Sequence, residues 1–255
     1  DGLITDKATS LTQLAALNGS LAHMSIATGP ILSVLTRSFN DVIAEFVELV
    51  GWPADPRIEL GTPALRDLKR IQVRWKELDN YPIHDKVRVL SLKIVAHDAS
   101  ATGAAATTVT LDDRNRLDYG TEQARLPFTE EEQHASSTLR EAWGLIHYLQ
   151  AFSHKLAGKA IQSLTDSQAL ETCFARGSKS PKLQKAILEI YDILREHNMK
   201  LHVNWKPRSH YILEQVDADS RFSEKETWDF DMDGWGFEKA DIRKFADLFQ
   251  RQGIM

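Results

Sequence analysis

The stretch Val87-Arg88-Val89-Leu90-Ser91-Leu92-Lys93-Ile94-Val95-Ala96-His97-Asp98 decides the fold. Val87, Val89, Leu90, Leu92, Ile94 and Val95 make an apolar run of strand length that ends at His97-Asp98, as a buried strand does. Downstream, Gly103 to Leu111 reads as a second strand, Asp112-Asp113-Arg114-Asn115 as a hairpin turn, and a weaker third strand follows through Tyr119. Ser136 or Ser137 caps a helix carrying Leu139, Trp143, Ile146, Leu149 and Phe152. Lys159 to Leu164 is a short strand, Asp166 to Phe174 and Pro181 to His197 are helices, and Lys200 to Trp205 is the last strand. A short helix or turn then carries Asp217. Three consecutive strands followed by alternation predict an α/β fold, a mixed five-stranded sheet flanked by helices.

Upstream, the apolar period is helical. Leu11, Leu14, Leu17 and Leu21, then Ile31, Leu32 and Leu35, then Val42, Ile43, Phe46 and Val47 recur at helical spacing. Gly29-Pro30 interrupts this pattern and Gly51-Trp52-Pro53 ends it. A further helix is expected from Thr62 to Leu78, with Pro63 at its first position and Thr62 as the cap. Asn80-Tyr81-Pro82 marks a boundary. The division expected is a small helical domain over 1–82, the α/β domain over 83–222, and an acidic, aromatic extension over 223–255.

Composition narrows the classes. The 255 residues can bury a full core, and 42% hydrophobic with 26% charged residues is ordinary for a globular chain. The single cysteine, Cys173, excludes an internal disulfide framework and a cysteine-rich zinc site, which points to an intracellular setting, cytoplasmic or nuclear. No apolar run approaches the roughly 18 residues of a membrane helix. The start Asp1-Gly2-Leu3 has no initiator Met and no signal pattern, so the chain reads as a piece of something longer. The net charge of −5 is uneven, because ten acidic and three basic residues lie between Glu214 and Asp241. The remainder is slightly basic, with clusters at Arg66, Lys69, Arg70, Arg74, Lys76 and at Lys179, Lys182, Lys185, which suit phosphates or solvated helix faces equally.

Four acidic positions stand beside expected buried elements: Asp98 at a strand end, Glu141 on a helix among Leu139, Trp143 and Leu145, Asp166 after a strand, and Asp217 near the end of the α/β part. Each has an ordinary reading as turn residue, surface helix residue or N-cap. Taken in order they suggest one cluster assembled by folding. Such a cluster would hold divalent metal, since hard cations take oxygen ligands and phosphodiester chemistry uses them.

Ile94-Val95-Ala96-His97-Asp98-Ala99-Ser100, Leu139-Arg140-Glu141-Ala142, Thr165-Asp166-Ser167-Gln168-Ala169 and Val216-Asp217-Ala218-Asp219-Ser220-Arg221 together resemble the ribonuclease H domain of retroelement reverse transcriptases. Trp205-Lys206-Pro207-Arg208 before the last motif is similar to retrotransposon versions, including the DIRS-like group. Thr12 to Ile83, with Leu14-Ala15-Ala16-Leu17-Asn18-Gly19 and Leu35-Thr36-Arg37, resembles the segment joining polymerase to ribonuclease H.

The resemblance implies a metal-dependent endoribonuclease that cuts the RNA strand of RNA–DNA hybrids within a polyprotein, with the polymerase domain as partner. Its metal carboxylates would be Asp98, Glu141, Asp166 and Asp217, holding Mg2+ or alternatively Mn2+, with Asp219 a rival for the fourth place. His210 would be the mobile histidine of the family, one or two residues off its usual offset. Ser100, Ser167, Lys206 and Arg208 are expected at the substrate, with Lys179 near backbone phosphates, and His97 is expected to be a strand residue only.

No Tyr/Phe-x-Asp-Asp motif is present, so polymerase chemistry is not expected of this stretch. Asp229-x-Asp231-x-Asp233-Gly234 begins like a calcium loop, but Ala240 stands where the bidentate Glu is needed. The rival readings are a catalytically silent ribonuclease H-like module that positions nucleic acid or a protein, and an unrelated α/β scaffold whose acids are caps and turns.

Overall fold

The computed structural model describes residues 6–28, 30–78, 92–111 and 117–222. Val87 to Leu90, the boundary at Asn80-Tyr81-Pro82, the turn at Asp112 to Asn115 and the tail with its calcium-like loop lie outside the described residues. The chain divides into two compact units, one of Asp1–Val89 with Thr172–Ile187, the other of Leu90–Glu171 with Leu188–Met255.

In the first unit, strand β1 (Ala8–Ser10) leads into α1 (Leu11–Thr28), α2 (Ile31–Leu35), α3 (Arg37–Val50), strand β2 (Arg57–Glu59) and α4 (Thr62–Leu78). The helices form where the apolar period is helical, and Leu11, Leu14, Leu32, Leu35 and Phe39 are fully or almost fully buried. Gly51, at φ 72°, ends α3. The strands were not evident in the sequence: three residues each, they pair antiparallel with Thr9 opposite Ile58. The Asp55 carboxylate, which accepts from Thr12 N at 2.7 Å, ties the start of α1 to the turn before β2. Helix α4 has the expected bounds, but Thr62 is its first helical residue rather than its cap, and Leu65 N donates to Gly61 O.

The second unit is built on strands β3 (Leu92–Ala99), β4 (Gly103–Leu111), β5 (Leu117–Pro127), β6 (Ala160–Thr165) and β7 (Lys200–Trp205). Their order across the sheet is β5-β4-β3-β6-β7. The first three pair antiparallel, while β6 and β7 add in parallel beside β3. This is the mixed five-stranded sheet expected, with β3 at its centre. The third strand runs well beyond Tyr119, to Pro127, because β4 pairs with it at both ends, from Gly103 opposite Pro127 to Leu111 opposite Leu117, with a register shift between Thr107 and Val109. Its helices include α5 (Glu130–Gln133), α6 (Ser137–Ala151), α7 (Ser153–Leu156) and α10 (Glu214–Asp219), while α8 (Gln168–Arg176) and α9 (Pro181–Glu196) each have residues in both units.

Strand alternation sends neighbouring side chains of β4 to opposite faces. On one face, α6 comes close at Gly144, where an added Cβ would stand 2.7 Å from the Ala104 Cβ. On the other, Leu213 and Val216 of the α10 region pack with Ala96, Ala105, Val109 and Leu164. The chain after α10 is held against β4 and β5. Arg125 Nε donates to Asp219 O at 2.6 Å, Phe222 N donates to Thr102 Oγ1 at 2.8 Å, and an added Cβ on Gly103 would meet the Phe222 ring at 2.4 Å.

Candidate metal centre

Three elements bring one carboxylate each to the same point. Asp98 is the penultimate residue of β3, Glu141 lies on α6, and Asp166 directly follows β6. Ser136 starts α6 by accepting from Leu139 N at 3.3 Å. Gly144, one turn beyond Glu141, then lets the helix lie close on the sheet, so that Glu141 is only 3% exposed. Asp166 is not a helix cap. Ser167 takes that role at α8, its Oγ accepting from Leu170 N at 3.3 Å, so the carboxylate beside it is available to the cluster. Asp98, Glu141 and Asp166 each offer an oxygen within 4.8 Å of the others'.

The protein holds two of these groups in place. Glu141 Oε1 accepts from Ala99 N at 3.1 Å and Oε2 from the Thr165 hydroxyl at 3.3 Å. Asp98 Oδ2 accepts from the buried Ser220 hydroxyl at 3.0 Å. Burial, and then the charge of Asp166, pushes the Glu141 carboxyl up to about 8. Burial, followed by the charges of Glu141 and Asp166, pushes Asp98 up to about 7. Like charges crowded in low dielectric favour the protonated forms in this way. Below the cluster His97 is 1% exposed, with Nδ1 3.3 Å from Glu141 Oε2, and burial lowers its imidazole to about 4.

Asp217 stands apart from the three. Its oxygens accept from Arg208 Nη2 and Arg221 Nη2, both at 2.5 Å. Burial alone would raise its carboxyl, but the two guanidinium groups outweigh burial and hold it below the usual carboxylate range. Arg208 also reaches toward the cluster, with Nε 4.0 Å from Asp166 Oδ2. The rival Asp219 faces elsewhere: both its oxygens accept from Gln215 Nε2 at 3.0 Å. The His210 ring stacks on Tyr211 at 4.7 Å, and its Nδ1 accepts from Ile212 N at 3.4 Å.

The remaining expected contacts are mixed. Ser100 Oγ donates to Ser220 O at 2.6 Å and accepts from Thr102 N and Gly103 N at 3.0 and 3.1 Å. That hydroxyl therefore ties the β3–β4 turn to the end of α10. Lys206 N continues the sheet by donating to Thr165 O at 2.8 Å, and the Arg208 side chain is 67% exposed. Lys179 is exposed, in the segment grouped with the first unit.

Sequence reasoning missed Thr165, Ser220 and Arg221, whose importance comes only from what they touch. It also missed Trp205, whose indole N–H donates to Asp166 O at 3.1 Å.

The donor set fits a divalent cation. The cluster supplies hard anionic oxygens from three elements, and the groups that touch Asp98 and Glu141 are hydroxyls, a backbone amide, an imidazole and one another. Carboxylates so crowded and buried are costly unless protonated or shared by a cation.

Comparison with family models then identifies the segment that carries the cluster. Residues 92–192 match the RNase H-like domain found in reverse transcriptase. The matched segment carries β3 to β6 of the mixed α/β sheet. A comparison with curated proteins finds no match. Among solved structures, RNase H1 from the halophilic archaeon Halobacterium salinarum NRC-1 is similar at 18% identity and a TM-score of 0.40, covering 55% of this chain and 99% of that one. LC11-RNase H1 in complex with an RNA/DNA hybrid is similar at 18% identity and a TM-score of 0.39, over 50% of this chain and 92% of that one. The N-terminal RNase H domain of a Mycobacterium tuberculosis protein, solved as a fusion with maltose-binding protein, shows 15% identity and a TM-score of 0.38, over 51% and 92%. No helix among the described residues is long and apolar enough to cross a membrane.

Proposed function

We propose that the RNase H-like domain is a metal-dependent endoribonuclease that cuts the RNA strand of RNA–DNA hybrids. The observation that carries the reading is the convergence of Asp98, Glu141 and Asp166 within 4.8 Å. These three would hold Mg2+, with Mn2+ as an alternative, and Asp217 would complete the set once released from its arginines. Asp217 is preferred to Asp219 because its charge acts on Asp98, whereas Asp219 is bonded to Gln215. Divalent cations bound there would supply an activated water and neutralise charge on the leaving oxygen. No nucleophilic side chain is then required of the protein.

The chain's own residues have distinct tasks. Ala99 N and Thr165 fix the Glu141 carboxylate, and Ser220 fixes that of Asp98. Arg208 and Lys206, at the exposed end of β7, would contact backbone phosphates. The backbone around Ser100 and Ser167 would lie along the hybrid, whose RNA strand is told from DNA by its 2′-hydroxyls. His210 is assigned to product release. The first unit would connect to a polymerase domain of a retroelement polyprotein that acts inside the cell, in cytoplasm or nucleus.

The test is cleavage of a labelled RNA–DNA hybrid in Mg2+ by the parent chain and by Asp166→Asn. The proposal expects cleavage by the parent, none by the variant, and intact single-stranded and duplex RNA. Hybrid binding without cleavage in Mg2+ or Mn2+ would instead identify a silent nucleic-acid module.

A further inference from the structure

His97 occupies a costly position. It is 1% exposed in the central strand, and neither ring nitrogen has a hydrogen-bond partner. Leaving a buried polar group unsatisfied is costly, and a β-branched aliphatic residue would fill a central strand without that cost. Opposite it in the β3–β4 register is Ala106, whose small side chain leaves room for a ring. Strand alternation sends His97 to the same face as Ala99 and Ala104, the face on which α6 and its Glu141 lie. There its Nδ1 stands 3.3 Å from Glu141 Oε2, at hydrogen-bond length but out of alignment.

Glu141 reaches the cluster only in one orientation, with Oε1 on Ala99 N and Oε2 near Thr165. The Thr165 hydroxyl that donates to Oε2 is itself held by Ser167 N, which donates to it at 3.1 Å. An imidazole N–H aimed at Oε2 would be a second, rigid support. Its hold strengthens when Glu141 carries the full charge required of a metal ligand.

We infer that His97 is a positioning residue of the metal centre, its Nδ1–H orienting Glu141 Oε2 so that this carboxylate meets Asp98 and Asp166 around one cation. The inference rests on the reading that the three carboxylates hold a divalent ion. It assigns His97 no contact with substrate or metal.

The test uses the full chain and Mn2+ alone, read by calorimetry and by the electron spin resonance of the free ion, with thermal unfolding as a check on folding. His97→Asn places an amide nitrogen on Cγ, where Nδ1 sits. His97→Gln places it one atom further out, where Nε2 sits, and His97→Phe removes both ring nitrogens. The parent and His97→Asn are expected to bind Mn2+ alike. His97→Gln and His97→Phe should bind about tenfold or more weakly, the usual scale for a residue that orients a ligand. His97→Asn keeps the donor in place whereas His97→Gln moves it, and that comparison, made between variants whose thermal unfolding matches, decides the matter if His97→Phe does not fold. Equal binding by His97→Asn and His97→Gln overturns the inference while leaving the metal centre intact. If the parent binds no Mn2+, or if Glu141→Gln binds as the parent does, the metal-centre reading fails and takes this inference with it.

Discussion

Replacing Asp98 by Asn should stabilise the metal-free protein at pH 8 while leaving it little changed at pH 4. Asp98 is 6% exposed, and its carboxyl is pushed up to about 7, first by burial and then by Glu141 and Asp166. A folded-state value above the unfolded one means that the folded chain holds the proton more tightly. Below about pH 4 both states are protonated and the group is neutral in its effect; as pH rises toward 7 the unfolded chain ionises freely and stability falls. Above that range the loss is complete and constant. The interval from 3.8 to about 7, at about 1.4 kcal/mol per pH unit, sets a ceiling of roughly 4 kcal/mol. Part of that is shared with Glu141, so a gain of about 2–3 kcal/mol is expected, or roughly 4–12 °C in Tm for a chain of this size. Asn keeps an oxygen acceptor for the Ser220 hydroxyl, so the difference at pH 4 measures any cost of the exchange itself.

The assay is thermal unfolding of parent and variant in chelator at pH 4, 6 and 8, repeated with excess Mg2+. The variant's advantage should grow with pH in chelator. In Mg2+ the parent should recover and the variant should not, because binding to the folded state alone stabilises it. An advantage that is the same at pH 4 and pH 8, or absent at pH 8, would refute the argument that these carboxylates are crowded without compensation.

Other outcomes follow from single contacts. Arg208→Gln frees one oxygen of Asp217 and removes a cation near Asp166, so Mn2+ affinity of the free protein should rise several-fold by calorimetry. Hybrid affinity should fall, with the salt slope reduced by about one, if Arg208 also meets a phosphate. Gly144→Val puts a branched side chain where even a Cβ is 2.7 Å from Ala104, and overpacking of about 1–3 kcal/mol should appear in denaturant unfolding together with weaker Mn2+ binding. Tyr148→Phe removes a buried bond of 2.6 Å between its hydroxyl and Thr108; it should cost about 1–3 kcal/mol of stability while leaving metal affinity unchanged.

Much of the α/β unit was legible because its signals are local. The apolar run ending at Asp98, the cap at Ser136 and the strands before Asp166 and Lys206 each depend on residues within one element. Gly29-Pro30 and Gly51-Trp52-Pro53 punctuated the helical part for the same reason: they change what the backbone can do where they stand. Strands β1 and β2 were illegible because three residues are too few for a period, and their pairing joins segments nearly fifty positions apart.

The chemistry divides along a similar line. By itself the sequence determined which residue types were on hand and in what order, and so named Asp98, Glu141 and Asp166 as candidates before any geometry was known. Tertiary structure alone decided that Glu141 is buried rather than a surface helix residue, because Gly144 lets α6 lie against β4. It likewise decided that Ser167, not Asp166, caps α8, that Asp217 is held by Arg208 and Arg221, and that His97 lies beneath Glu141. The physical reason is that periodicity and capping act over a few residues of chain, whereas burial, charge crowding and hydrogen-bond partnership are set by groups brought close in space from different elements.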